Sequence, residues 1–187
     1  MWRYGVALAF LVGFGAWTLL RVRQEYRRQR RLSRTTAAAV WLLYTLHLAI
    51  TAAAAVTARW PLPLDRAVGL AIGIALAGAG AVLAVGGAAS FASLQRMSGL
   101  VTSSLVTTGI YRWSRNPQNV GWMLLLAGVS LAANSGLAML MAAMFWVSFR
   151  FYLPEEERLL EHLFGDEYRR YRSRSRRYFG PPRTPTA

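Results

Sequence analysis

The sequence predicts an all-α integral membrane protein of about five transmembrane helices, ending in a short helical hairpin and an amphipathic cytoplasmic tail helix. Three observations carry this expectation. Hydrophobic residues make up 55% of the 187 and the mean hydropathy is positive, which leaves too little polar surface to coat a soluble globule. Apolar runs of spanning length recur along the chain, and lipid-facing backbone satisfies itself only as a helix or a closed barrel. All 22 basic residues are arginine, giving a net charge of +14, and they gather beside the apolar runs, as juxtamembrane basic segments do. That placement points to a bilayer with anionic headgroups as partner and argues against nucleic acid. There is no cysteine, so disulfides and thiolate chemistry are excluded, and no metal-ligand cluster is evident.

The first span covers residues 4–20, preceded by Trp2 and Arg3 and followed by no small-residue cleavage site, which reads as an anchor rather than a removed signal. The second covers 37–58 and contains His47. An ionisable group inside a span is a functional flag, although a helix–helix hydrogen bond accounts for it equally well. Residues 67–89 form the third, rich in glycine (Gly69, Gly73, Gly78, Gly80, Gly86, Gly87) that lets a neighbouring helix approach closely. The fourth and fifth, 118–134 and 135–153, are split by the turn signal Asn134-Ser135-Gly136. At about 1.5 Å per residue each arm is roughly 25 Å long, slightly under the ~30 Å hydrocarbon core. The chain thus forms one membrane domain over 1–187, with three amino-terminal spans (1–89) and a carboxyl-terminal half (90–187) holding a polar loop, the hairpin and the tail.

Orientation follows from the arginines. The first connection holds Arg21, Arg23, Arg27, Arg28, Arg30, Arg31 and Arg34, the second only Arg59 and Arg66 beside Asp65. The first loop is therefore expected in the cytoplasm, with the amino terminus outside and the tail inside. In the tail, residues 155–164 place Leu159 with Leu163 and Leu160 with Phe164 at i,i+4 spacing, with Pro154 at the start, acids in the first turn and Gly165 at the carboxyl cap. His162 is expected on the polar face of this helix. The arginine run 169–177, with Tyr171 and Tyr178, suits the headgroup layer, and residues 181–185 read as a loose end.

Two polar clusters flank the hairpin and can meet at one membrane face. The first is Gly109-Ile110-Tyr111-Arg112-Trp113-Ser114-Arg115-Asn116-Pro117-Gln118-Asn119-Val120-Gly121-Trp122; the second is Glu155-Glu156-Glu157-Arg158, holding three of the chain's eight acids. Gly109, Tyr111, Arg115, Pro117, Gly121, Glu156, Glu157, Phe164, Gly165, Tyr168 and Tyr171 fall in order on the pattern of the isoprenylcysteine carboxyl methyltransferase and phospholipid methyltransferase superfamily, which residues 95–179 resemble. Where the family has histidine and tyrosine this chain has Asn116 and Asn119, and Ile110 replaces the proline after the glycine, which marks a divergent, bacterial-type member. Asparagine can still donate and accept hydrogen bonds, but it cannot relay a proton as imidazole does.

The resemblance implies an integral membrane enzyme that transfers a methyl group from S-adenosylmethionine to a lipophilic small-molecule substrate reaching it from the bilayer. By analogy the cofactor site comprises Gln95, Ser103, Leu105, Val106, Tyr111, Asn116, Pro117, Gln118, Asn119, Glu156 and Glu157. Such a pocket requires an acid, donors and a polar wall beside an apolar channel. Arg150 is a candidate for a substrate carboxylate or phosphate, although Tyr152 occupies the place nearest to the relatives' arginine. No catalytic base is singled out, and the methyl acceptor and oligomeric state stay open. The alanine-rich, all-arginine composition points to a high-GC bacterial source and an inner-membrane setting. A membrane reductase of the sterol-reductase type and a non-catalytic scaffold with a decayed pocket are the alternative readings.

Overall fold

The computed structural model describes residues 2–91, 100 and 104–183; Gln95 and Ser103, two of the expected cofactor contacts, lie outside the described residues. Among these there are five α-helices and no strand: α1 Trp2–Gln29, α2 Arg34–Val56, α3 Arg66–Ala89, α4 Pro117–Ala132 and α5 Gly136–Arg174, with a 3-10 turn at Gly109–Arg112. Four of them (α1, α2, α3 and α5) are long and apolar enough to cross a membrane, and α4, at 16 residues, falls just short of that length. The chain is an all-α, multi-pass membrane protein.

Helix α1 runs nine residues beyond the expected span end at 20. Arginine, glutamine and glutamate are good helix formers, so Arg21, Arg23, Arg27 and Arg28 ride on the helix rather than in a loop. The turn into α2 is correspondingly short and fastened by Glu25. Its Oε2 accepts from the Ser33 N–H at 2.7 Å, and its Oε1 accepts from Ser33 Oγ at 2.8 Å and Thr36 Oγ1 at 2.6 Å. Ser33 in turn caps α2 by accepting from the Thr36 N–H.

Helices α3 and α4 pack backbone to backbone. Gly73, Gly80 and Gly87 on α3 repeat every seven residues, as do Gly121 and Gly128 on α4. A Cβ on Gly80 would lie 2.6 Å from the Gly121 carbonyl oxygen, and one on Gly73 2.6 Å from that of Gly128. Small residues therefore set the crossing, as in close-packed membrane helix pairs. Helix α3 leans on α4 and makes no comparable contact with α2. Between α4 and α5 the predicted turn is present. Asn134 takes positive φ while its Oδ1 accepts from the Leu62 N–H at 2.9 Å, and Ser135 caps α5.

Helix α5 spans 39 residues and joins the fifth span to the tail helix without interruption at Pro154. Its apolar portion ends near Leu153, so the glutamates ride on its polar extension beyond the span. Gly165, expected at a carboxyl cap, takes φ 48° and kinks the helix instead of ending it. Beyond Ser175 the chain folds back. The Gly180 N–H donates to the Trp113 carbonyl at 3.1 Å, the Arg183 N–H to that of Arg174 at 2.7 Å, and Phe179 stacks on Trp113. Residues 181–183, expected to be loose, are thus held against the body of the protein.

Candidate functional site

Three consecutive glutamates on a helix point about 100° apart, and each takes a different role. Glu155 turns toward α1, its Oε1 3.0 Å from Arg23 Nε and 3.0 Å from Arg158 Nη1. Glu157 turns toward the polar loop. Its Oε1 accepts from Arg115 Nε at 3.1 Å, Arg115 Nη2 at 2.7 Å and Arg177 Nε at 3.1 Å, and its Oε2 accepts from Arg177 Nη2. Burial pushes the Glu157 carboxyl upward, but the hydrogen bonds and charges of Arg177 and Arg115 outweigh it and hold the group below the ordinary carboxylate range. Glu156, between them, points into a cavity of about 410 Å³. It has no hydrogen-bond partner or ion pair among the described residues. The side chain is exposed to the cavity, yet its carboxyl group sits deep among protein atoms. That enclosure, with the negative charge of Glu157 next to it, raises its pKa to about 7.

The cavity has a polar mouth and an apolar far end. At the mouth lie Glu156, Asn116, Gln118, Asn119, Leu105, Val106 and Tyr111. Tyr111 is fixed in place because its carbonyl accepts from the Tyr171 hydroxyl at 2.9 Å, and it packs with Tyr168 and Tyr171 against Leu105 and Val106. Pro117 opens α4 at its first turn, where a missing N–H costs nothing. Gly87 lets Gln118 sit against α3, since a Cβ there would lie 2.6 Å from Gln118 Cγ. The far end is built from Leu43, Tyr44, His47, Trp122, Phe145 and Phe149, with Tyr44 edge-on to Trp122, Phe145 and Phe149. Tyr44 Oη donates to Asn119 Oδ1 at 2.9 Å and so links the two ends.

A family model described as phospholipid methyltransferase matches residues 68–167. The chain belongs to the phospholipid methyltransferase family. The protein-S-isoprenylcysteine O-methyltransferases of Mus musculus and Homo sapiens are each 39% identical to it over 74 residues, covering 39% of this chain and 26% of theirs. The Xenopus laevis protein of that name is 34% identical over 74 residues, covering 38% of this chain and 25% of its own. The match thus spans about a quarter of the length of these curated relatives. No solved structure matches.

Within this family member, the structure brings Leu105, Val106, Tyr111, Asn116, Gln118, Asn119 and Glu156 together around one cavity. Pro117 is buried behind that wall. Glu157 does not line the cavity, because its oxygens are occupied by Arg115 and Arg177. Arg150 is exposed and does not line it either; it stands six residues before Glu156 and so about 120° around the helix from it. Asn116, in place of the family's histidine, uses its amide to donate to the Arg177 carbonyl at 3.0 Å. Tyr26, Tyr44, His47 and Tyr152 also line the cavity. Of these, His47 carried a signal in the sequence as an ionisable residue within a span, and Tyr152 through the resemblance, as the place nearest to the relatives' arginine; Tyr26 and Tyr44 had none. His162 is exposed, on the polar face as expected.

Proposed function

We propose that the chain is an integral membrane methyltransferase that moves the methyl group of S-adenosylmethionine to a lipophilic substrate drawn from the bilayer. The single observation that supports this reading best is Glu156, a carboxylate without a partner among the described residues, facing a cavity whose other ion, Arg115, is already paired with Glu157. When bound, the cofactor supplies a methyl group already activated on a sulfonium. The residues at the mouth suit its other groups. Glu156 faces the ammonium or the ribose hydroxyls, and Asn116, Gln118 and Asn119 offer donors and acceptors. The first turn of α4 leaves the Gln118 and Asn119 N–H groups without intrahelical partners for the carboxylate. Tyr111, Leu105 and Val106 form an apolar wall for the base.

The substrate side of the reading rests on α3. Helix α3 packs on α4 and not on α2, and the cavity lining includes Trp41 and Val85, 40% and 67% exposed, which we take as the edges of a lateral gap. A lipophilic acceptor can slide through this gap with its apolar part toward Phe145 and its reacting group near the mouth, where proximity to the methyl group supplies much of the rate gain. The arginine-rich end of α1 and the tail then face anionic headgroups, with the amino terminus outside and the tail in the cytoplasm.

Calorimetric titration of the full chain in nanodiscs with S-adenosylhomocysteine and, separately, NADPH tests the proposal. Micromolar binding of the first alone is expected. Binding of NADPH alone would replace the proposal with a reductase, and silence for both would leave a scaffold.

A further inference from the structure

The far end of the cavity holds one polar side chain that the proposed reaction does not use. His47 is 2% exposed, lines the cavity and stands edge-on to Phe145, with ring centroids 5.5 Å apart. Its Nδ1 lies 3.1 Å from the Leu43 carbonyl oxygen one turn earlier. A carbonyl only accepts, so Nδ1 carries the proton and Nε2 keeps a bare lone pair. Nε2 has no protein partner among the described residues, and protein does not seal it off. The cavity is its outlet. Among the described residues the other polar groups lining this end are the Trp41 and Trp122 indoles, the Ser148 hydroxyl, which donates to the Met144 carbonyl, and Tyr44, whose hydroxyl is committed to Asn119. An unmet acceptor among aromatic and aliphatic side chains at membrane depth is unfavourable unless a ligand donor reaches it.

The spacing fixes what such a ligand looks like. Phe145, against which His47 packs, precedes Glu156 by eleven residues on α5, about 16 Å along the helix at ~1.5 Å per residue. We propose that His47 is the distal anchor of the lipophilic ligand, its Nε2 accepting a hydrogen bond from a hydroxyl or N–H carried about 16 Å from the group held at Glu156. The ligand class is a long apolar molecule with polar groups at both ends, rather than one ending in a plain hydrocarbon tail. This rests on the proposed reading that the cavity admits a lipophilic substrate.

Two simple probes test the anchor on the full chain in nanodiscs, by calorimetry or tryptophan fluorescence: a linear dodecane-diol with a hydroxyl at each end, and dodecanol. Wild type should bind the diol about fivefold more tightly, the size of one net hydrogen bond. In His47→Leu that preference should vanish while dodecanol affinity holds. Should His47→Leu fail to fold, His47→Phe keeps a ring against Phe145 and carries the same comparison. Equal affinities in wild type, or a preference that survives in the variant, overturn the anchor and leave the lipophilic-substrate reading standing. Binding of neither probe overturns both, and S-adenosylhomocysteine binding remains a separate measurement.

Discussion

Replacing Glu156 with glutamine removes the one uncommitted charge that lines the described cavity and leaves its shape nearly unchanged. Arg115 is the other ion in that lining, but its guanidinium is taken up by Glu157 and by the Arg172 and Ser175 carbonyls. A charge-assisted hydrogen bond contributes about 1.5–3 kcal/mol, and about 1.4 kcal/mol is a factor of ten in affinity. Glu156→Gln should therefore weaken S-adenosylhomocysteine binding by roughly ten- to a hundredfold. The pH dependence is a sharper check. Burial and Glu157 raise the Glu156 pKa to about 7, so the carboxylate that pairs with the ligand's ammonium is lost as pH falls through that value. The ligand's ammonium belongs to a free amino acid, whose neighbouring carboxylate keeps it protonated across this range. Wild-type affinity should rise from about pH 5.5 to 7 and then level off, whereas the glutamine variant should lose that acid limb. Titration calorimetry across that range reads both effects. Wild-type binding that is flat through the acid limb, or a glutamine variant with unchanged affinity, would refute the assignment.

The same group makes the ligand-free protein pH-sensitive. The Glu156 pKa in the fold, about 7, exceeds its ordinary value of 4.5, so the folded state holds more protons between those values and stability declines as pH rises through that window. Thermal unfolding should show Glu156→Gln gaining on wild type at pH ~8 relative to pH ~5. Glu157→Ala strands Arg115 and Arg177 and should destabilise by up to about 3 kcal/mol, the partial exposure of Arg177 softening the loss; earlier tryptic cleavage within residues 174–177 would report release of the folded-back tail. Gly80→Ala drives a Cβ into the α4 backbone and should cost about 1–3 kcal/mol, while Gly78→Ala, with nothing within 4 Å of its Cβ, should be neutral or slightly stabilising in the same denaturation series.

Much of this fold is legible because its helices are separated by strong local signals. Asp65 and Arg66 bracket the start of α3, Pro117 the start of α4, and Asn134-Ser135-Gly136 the hairpin turn. Helix α1 runs past its apolar span because arginines end a membrane run without ending a helix. The mouth of the cavity was readable from the polar loop and the glutamates, but the division of labour among Glu155, Glu156 and Glu157 was not, since it depends on which neighbour each 100° step meets. Likewise Tyr26 and Tyr44 are ordinary helix tyrosines until three-dimensional packing gathers them, with Tyr152, around one void.

The glycine contact between α3 and α4 has a consequence for how this protein tolerates change. Its partners are backbone atoms, so the wall it forms does not depend on the identity of the side chains on the opposite face of α3. That face presents Val68, Leu70, Ile72, Ile74, Val82 and Val85, all exposed. Most of it can drift among apolar residues to suit membranes of different composition while α3 keeps its register on α4. The cavity is thereby insulated from the lipid it adjoins, except at Val85, where the same helix borders the gap.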